Sequence, residues 1–235
     1  MSHDPLGQCI LDFAKNGEAE DIVVQSDLCD DDIIPSSYLH RSFDDMPRHE
    51  QVALKHCKGK VLDVGAGAGV HTKYLQEKGF DVLAIDTSLG AVEHMCNQGL
   101  SALKADFFKL DNQRYDTVLL LMNGAGIAGS LKQLPLFLSK CKSLLNSGGQ
   151  VLLDSSDIRF LYQEEDGSYW MDLNAEYFGN FQFKMQYKNH ETDWFDWLYV
   201  DFETLKTQAE LLGFNIECLD ESEDNHYLAR LWIAS

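Results

Sequence analysis

The amino-acid sequence predicts an α/β fold built on a doubly wound, mostly parallel sheet of seven strands. Between residues 60 and 153, short apolar or β-branched runs alternate with segments of helical periodicity, which is typical of a parallel sheet with crossover helices. The run at 115–122 is almost entirely apolar, as expected for a strand that is covered on both faces. Right-handed crossovers place the strand-to-helix loops of such a sheet at one edge, where ligands bind.

The individual elements follow from these runs and from the glycines that end most of the helices. The first five strands are predicted at 60–64, 81–85, 100–104, 115–122 and 150–153, with helices at 70–78, 88–97 and 131–145. A final helix at 202–212 and strands at 215–219 and 227–233 complete the sheet.

Two further segments lie outside this pattern. Residues 1–58 form a predicted N-terminal cap segment with a helix at 46–57, and residues 59–235 form the main domain. Within the main domain, much of 176–188 alternates between apolar and polar side chains, and a second strand pattern follows after a short link. We therefore predict an antiparallel hairpin inserted after the fifth strand, at about 170–202.

Charge and cysteine content exclude several classes of function. Lysine and arginine total 19 against 38 aspartates and glutamates, giving a formal charge of -19 that argues against a nucleic-acid partner. The six cysteines are scattered without a C-x-x-C pair, and neither His190 nor His226 belongs to a cluster with ligand spacing. The sequence thus predicts no metal site, no disulfide frame and two surface histidines.

The sequence also lacks membrane and secretion signals. No apolar run approaches the roughly 18 residues of a membrane span, and the first residues do not show a basic and then apolar pattern. We therefore expect a cytoplasmic protein with no membrane association. The aromatic residues of the predicted hairpin are compatible with a homodimer.

The first strand ends in a glycine loop, K-V-L-D-V-G-A-G-A-G, with Gly65, Gly67 and Gly69 at alternate positions. Glycines let a backbone approach a ligand closely, and the helix that follows points its free N–H groups at the same place. In the dinucleotide pattern the third glycine follows two intervening residues, and Val70 stands there in this sequence. The spacing favours a G-x-G-x-G loop, with a nicotinamide-dependent oxidoreductase as the alternative.

These motifs resemble those of class I S-adenosylmethionine-dependent methyltransferases, which have a Rossmann-like fold. The segment from Asp63 to Gly69 matches the first motif of the family, and Asp86 stands at the end of the second strand. Ala105-Asp106-Phe107 follows the third strand, and Asn146-Ser-Gly-Gly149 resembles the turn before strand five. The resemblance implies S-adenosylmethionine as cofactor and S-adenosylhomocysteine as product.

The resemblance also implies roles for individual residues. Asp86 would accept bonds from both ribose hydroxyls, Asp106 and Phe107 would hold the adenine, and Asp63 would order the glycine loop. Arg41, which precedes the cap helix, would bind the carboxylate of the cofactor. The predicted cofactor-binding residues are Tyr38, Arg41, Asp63, Gly65, Ala66, Gly67, Gly69, His71, Asp86, Thr87, Ser88, Asp106, Phe107, Met122 and Asn123.

The methyl group in this family faces the segment after strand four, here residues 122–129. This segment lacks the acid- or asparagine-Pro-Pro-aromatic motif of enzymes that methylate amino groups of bases or glutamine amides. Asn123 is its candidate for orienting an acceptor atom. Asp154 and Asp157, at the end of strand five, are candidates for binding a cationic acceptor or removing its proton.

The sequence therefore predicts a methyltransferase that acts on a small-molecule acceptor, with the accepting atom open among oxygen, nitrogen, sulfur and carbon. A domain that binds S-adenosylmethionine without catalysis is the second alternative. The acidic charge favours neutral or cationic acceptors over anionic ones.

Overall fold

The computed structural model describes residues 3–111, 113–162 and 176–234. The helices are α1 (Pro5–Asn16), α2 (Arg48–His56), α3 (Val70–Glu77), α4 (Leu89–Asn97), α5 (Leu134–Ser143) and α6 (Phe202–Leu211). The strands are β1 (Ile22–Ser26), β2 (Asp32–Ile34), β3 (Lys60–Val64), β4 (Asp81–Asp86), β5 (Ala102–Lys104), β6 (Tyr115–Leu120), β7 (Leu145–Ser156), β8 (Asn180–Tyr187), β9 (His190–Glu191), β10 (Phe195–Leu198), β11 (Asn215–Glu221) and β12 (His226–Trp232). Within these ranges no helix is long and apolar enough to cross a membrane.

The main sheet has seven strands in the order β11-β12-β7-β6-β3-β4-β5. The pairs β6–β7, β3–β6, β3–β4 and β4–β5 are parallel, whereas β12 is antiparallel to both β7 and β11. This arrangement confirms the predicted doubly wound, mostly parallel sheet. The chain order changes direction beside β3, which puts the loops after β3 and β6 at a switch point of the sheet.

Two hydrophobic cores cover the opposite faces of this sheet. Successive strand residues point to opposite sides, so Leu62 belongs to the core beneath α5 and α6, while Val61 belongs to the core beneath α2 and α3. On β6, the neighbouring residues Val118 and Leu119 divide in the same way, and both are fully buried. The all-apolar composition of β6 therefore reflects burial on both faces.

A second sheet has the order β10-β8-β1-β2, with β9 paired to β8. Its β8 and β10 are antiparallel, with Phe183 opposite Phe195, so the predicted inserted hairpin is confirmed. The hairpin does not stand alone, because β1 of the N-terminal segment pairs along the other edge of β8 with Val23 opposite Gln186. The cap segment and the insertion thus form one layer, and the boundary at residue 58 stays a prediction.

Sequence analysis missed β1 and β2, which have five and three residues in an acidic segment. Strands this short show too few alternations to be distinguished from a loop. Residues 163–175, which include the first part of the predicted insertion at 170–202, lie outside the described ranges. The predicted turn at 146–149 lies within β7, where the register with β6 shifts between Tyr115 and Thr117.

The carboxylate of Asp4 links the N-terminal helix α1 to the start of α4 through hydrogen bonds. Asp4 caps α1 by accepting from the N–H of Gly7 at 2.9 Å, and its other oxygen accepts from Ser88 Oγ and Gly90 N, each at 3.0 Å. A Cβ at Gly90 would lie 2.7 Å from the backbone of Gly7, so the two helices meet at glycines. Asp4 therefore fixes α1 beside the loop that follows β4.

A partly buried histidine completes the docking of α1. The ring of His40 stacks on Phe13 at 4.4 Å between centroids and meets His94 edge-on at 5.2 Å. Its Nε2 is buried without a hydrogen-bond partner among the described residues. Burial, helped by the nearby His94, lowers the pKa of His40 to about 4.

We predict that His40→Phe makes the protein less sensitive to acid. Between pH 6.5 and 4 the unfolded chain binds a proton at His40 and the folded chain does not, so the stability of the wild type falls as the pH is lowered through this window. Phenylalanine keeps the stack on Phe13 and removes this proton. Urea unfolding at several pH values measures the effect, and equal losses of stability in both proteins would contradict it.

Candidate active site

A cavity of about 1220 Å³ opens at the edge of the main sheet where β3, β4, β5 and β6 end. A pocket of about 30 Å³ shares part of its wall. The predicted cofactor residues that line the large cavity are Gly65, Gly67, Asp86, Thr87, Ser88, Asp106, Phe107, Met122 and Asn123. Those that line only the small pocket are Arg41, Asp63, Ala66 and His71, whereas Tyr38 and Gly69 line neither.

The three glycines of the loop have positive φ values of 70°, 55° and 80°, which favour glycine. A Cβ at Gly67 would meet no atom within 4 Å, so this glycine faces open space in the cavity. A Cβ at Gly69 would lie 2.7 Å from Cγ of Met95 on α4. Gly67 therefore leaves room for a ligand, while Gly69 allows the loop to pack against α4.

Asp86 joins the glycine loop to the start of α4. Its Oδ2 accepts from the N–H of Gly67 and its Oδ1 from the N–H of Ser88, both at 2.8 Å. Burial raises the pKa of Asp86, although these two backbone N–H groups oppose the shift. Each oxygen uses one bond within the protein, so the carboxylate can still accept from hydroxyl groups in the cavity.

Asp106 and Phe107 lie together at the end of β5. Asp106 caps a short 3-10 helix by accepting from the N–H of Phe108 at 3.0 Å, and it forms an ion pair with Lys109 at 2.9 Å. The hydrogen bond from Lys109 lowers the pKa of Asp106. Phe107 is buried, and both residues line the large cavity. The structure thus brings a carboxylate and an aromatic ring to one end of the cavity.

A buried ionic network lies behind the small pocket. Glu50 accepts from Nη2 of Arg41 at 2.7 and 2.6 Å and contacts Nε2 of His71 at 2.8 Å, and its side chain is only 1% exposed. Burial acts to raise the pKa of Glu50, but His71 and Arg41 outweigh it and lower the pKa. The Arg41 guanidinium also lies over the ring of Tyr38 at 4.0 Å. Glu50 therefore fixes the side chains of Arg41 and His71 in place.

Sequence analysis missed Glu50. It is the third residue of α2, and an acidic residue in the first turn of a helix is common because it complements the helix dipole. The partners Arg41 and His71 are 9 and 21 residues away, so no local pattern connects them. The only hint in the sequence was that Arg41 and His71 were both predicted at the cofactor site, where an acidic partner could join them.

Asn123 lies in a special position between β6 and the segment that follows. Met122 and Asn123 both have left-handed backbone conformations, with φ values of 63° and 60°. Asn123 is 9% exposed, and neither its Oδ1 nor its Nδ2 has a hydrogen-bond partner in the described part of the chain. Because buried amides are normally hydrogen-bonded, this pair of atoms in the cavity wall points to a ligand.

The location predicted for Asp154 is wrong. Asp154 is fully buried and does not line the described cavity wall. Its Oδ1 accepts from the N–H of Gly124 at 2.8 Å, and its Oδ2 lies 2.9 Å from Nε2 of His226 and 3.4 Å from Nε2 of His49. Burial acts to raise the pKa of Asp154, but His226 and His49 lower it well below its usual range. Asp154 therefore holds the backbone of Gly124, and its predicted role toward an acceptor stays a prediction.

His226 is likewise not a simple surface residue. Its side chain is 22% exposed, with Nε2 on Asp154 and Nδ1 2.9 Å from Oγ of Ser156. The ligand atoms of His49, Asp154 and His226 lie within 4.8 Å of one another, which would allow a metal ion. The two imidazole rings stack at 4.0 Å with an angle of 27°, and the Nε2 atoms of both rings lie against the same oxygen, Oδ2 of Asp154. We interpret this cluster as a hydrogen-bond network, and the predicted lack of a metal stays a prediction.

Asp157 also lies outside the described cavity wall. Its carboxylate pairs with the guanidinium of Arg159, whose Nε is 2.9 Å from both oxygens. The neighbouring residues Ser156 and Ile158 face the cavity instead. Of the three catalytic candidates, only Asn123 reaches the large cavity.

Aromatic side chains line another part of the cavity. Most come from strands β8 and β10 of the second sheet, Tyr199 directly follows β10, and Phe160 belongs to a short 3-10 helix after β7. This aromatic wall consists of Phe160, Phe181, Phe183, Phe195, Trp197 and Tyr199. Trp197 packs directly on Gly126, where any Cβ would overlap the indole ring. The close contact with Trp197 of the second sheet therefore requires glycine at position 126. The aromatic wall, the glycine loop and Asp86 thus line one cavity.

We predict that Glu50→Gln destabilises the protein by about 2 kcal/mol. Removing one partner of a buried ion pair typically costs about 3–5 kcal/mol, and glutamine retains part of the hydrogen bonding. Urea unfolding measures the change, with Glu77→Gln on the exposed face of α3 as a control that shifts stability by less than about 0.5 kcal/mol. Equal stability of the two variants would show that Glu50 does not hold Arg41 and His71.

Comparison with known proteins identifies the family. The model of a methyltransferase domain family matches residues 37–219. A S-adenosylmethionine-dependent methyltransferase from Bacteroides fragilis, solved in complex with S-adenosylhomocysteine, is 43% identical and superposes with a TM-score of 0.92, covering 99% of this chain and 96% of that chain. A methyltransferase from Clostridium acetobutylicum, at 13% identity and a TM-score of 0.56 over 82% of this chain and 94% of that chain, shares the fold alone.

A further relative is a UPF0146 protein of Pyrococcus abyssi. It is 47% identical over 60 residues, which make up 25% of this chain and 46% of that protein. The match thus spans about half the length of that relative. The family match, by contrast, extends over most of the chain and includes the glycine loop, Asp86 and Asp106. The predicted family and cofactor are confirmed: the chain belongs to the class I S-adenosylmethionine-dependent methyltransferases.

Proposed function

We propose that the protein transfers the methyl group of S-adenosylmethionine to a small-molecule acceptor. One observation carries this proposal: a single cavity joins the cofactor motifs to the aromatic wall, and the unpartnered amide of Asn123 lies in it. Its volume of about 1220 Å³ suits two small ligands, since pockets for one drug-sized ligand measure about 300–1,000 Å³.

The residues present fit the cofactor. Gly67 leaves open space at the loop, and Asp86 retains free lone pairs for the ribose hydroxyls. Asp106 and Phe107 supply an acceptor and a ring for the adenine at the end of β5. Nε of Arg41 is buried without a partner in the described residues, so it can donate to the cofactor carboxylate across the small pocket.

When bound, the cofactor supplies a methyl group that its positive sulfur already activates. In a transfer to an acceptor, the electron pair of the acceptor atom would bond to the methyl carbon, and the pair of the broken carbon–sulfur bond would stay on sulfur. The protein must hold the acceptor in line at about 3 Å. In this proposal Asn123 orients the acceptor, and Asp154 acts as a positioning residue because it fixes the backbone at Gly124.

We predict that S-adenosylhomocysteine binds with micromolar affinity and that Asp86→Asn weakens it at least tenfold. An amide cannot accept from Gly67, Ser88 and two ribose hydroxyls at once. Calorimetric titration measures the affinity, with Asp81→Asn at the exposed start of the same strand as the matched control. Binding of NADH in preference to S-adenosylhomocysteine would overturn the cofactor site.

Methyl transfer is tested with deuterium-labelled S-adenosylmethionine and a panel of small molecules, with mass detection of labelled products. We expect a labelled product that Asp86→Asn abolishes. S-adenosylhomocysteine binding without transfer to any acceptor would favour the alternative of a domain that binds the cofactor but does not catalyse.

A further inference from the structure

We propose that the acceptor is an organic cation with an aromatic or apolar body, and that Asp30, Asp32 and Asp196 attract its positive charge. This inference rests on the proposed methyltransferase function and adds the chemical class of the acceptor. The three carboxylates, here called the acidic rim, are exposed and line the large cavity on the side of the second sheet.

The charge of the cavity wall is strongly one-sided. Among the described residues it contains seven carboxylates, from six aspartates and Glu93, against two basic side chains, those of Lys104 and the N-terminal His3. Lys104 ends β5, next to Asp106 in the cofactor half. The residues outside the described ranges contain no lysine, arginine or histidine, so they bring no basic side chain to the acceptor. An anionic acceptor would therefore meet no basic partner at the second sheet.

The acidic rim is available to a ligand. Within the described ranges, none of its three carboxylates forms an ion pair. Asp196 accepts from the amide of Gln182 at 2.8 Å, and Asp32 accepts from the N–H of Ile33 at 2.7 Å, so both keep spare lone pairs. Carboxylates left without a cation at a cavity mouth raise the local concentration of positively charged solutes.

Other parts of the same cavity wall are aromatic instead of acidic. The aromatic wall offers ring faces that pack an apolar body and attract a nearby cation. Asn123 provides the independent sign of a ligand, since its amide is nine-tenths buried and unpartnered in the same cavity. An acceptor that satisfies all three features has a polar reactive atom at Asn123, an apolar body on the wall and a positive charge at the rim.

The test compares three probes that share one indole skeleton. Tryptamine is a cation, tryptophol is neutral and indole-acetate is an anion. Each is titrated by calorimetry into protein saturated with S-adenosylhomocysteine, at low and high salt. We expect tryptamine to bind about tenfold more tightly than tryptophol, indole-acetate to bind most weakly, and the preference to shrink at high salt because the rim is exposed.

Variants assign the preference to the acidic rim. A triple variant with Asp30→Asn, Asp32→Asn and Asp196→Asn should bring tryptamine and tryptophol to within about threefold of each other. The control changes three exposed glutamates that do not line the cavity, through Glu203→Gln, Glu210→Gln and Glu223→Gln, and should keep the full preference.

The outcomes separate this inference from the proposed function. Equal or tighter binding of tryptophol or indole-acetate, an unchanged preference in the rim variant, or no binding of any probe to the S-adenosylhomocysteine complex would each overturn the acceptor class. All three results leave the cofactor site intact. Failure of S-adenosylhomocysteine itself to bind would overturn both proposals.

Discussion

The site depends on the bond between Asp86 and the backbone of Gly67. A glycine loop with positive φ values has many accessible conformations, and the carboxylate at the end of the neighbouring strand selects one of them. The same carboxylate holds Ser88 at the start of α4, and Ser88 in turn contacts Asp4 of the N-terminal helix. One buried acid thus connects the loop, the second strand-to-helix turn and the cap, while its remaining lone pairs face the cavity.

The part of the cavity proposed for the acceptor is lined by the second sheet instead of the main sheet. The main sheet supplies the cofactor motifs, but the opposite wall comes from β8 and β10 of the insertion, which β1 of the N-terminal segment extends. Contact between Trp197 and Gly126 joins this second sheet to the loop after β6. Asp154 holds the same loop through its bond to Gly124 N–H. The segment that contains Asn123 is therefore fixed both by Asp154 and by Trp197. The main sheet and the second sheet therefore contribute different residues to the same cavity.

The sequence predicted those site residues that stand at a fixed distance from a strand, and it did not predict contacts between residues far apart in the chain. The glycine loop, Asp86 and Asp106 each stand at a fixed place relative to a strand, and all three line one cavity as expected. The network of Glu50 with Arg41 and His71, and that of Asp154 with His49 and His226, connect residues far apart in the chain, so no spacing showed them. The same reason hid the pairing of β1 with β8. Gly69 was assigned to the ligand, but it does not line the described cavity, and a Cβ at this position would meet Met95.

The most direct test of the account is a crystal structure of the complex with S-adenosylhomocysteine. The account predicts that both ribose hydroxyls donate to the carboxylate of Asp86, that the adenine lies at Asp106 and Phe107, and that the sulfur faces Asn123. It also predicts that Asp86 keeps its bonds to Gly67 and Ser88. A ribose away from Asp86, or a loop that moves away from it to admit the ligand, would contradict the claim that this carboxylate organises the site.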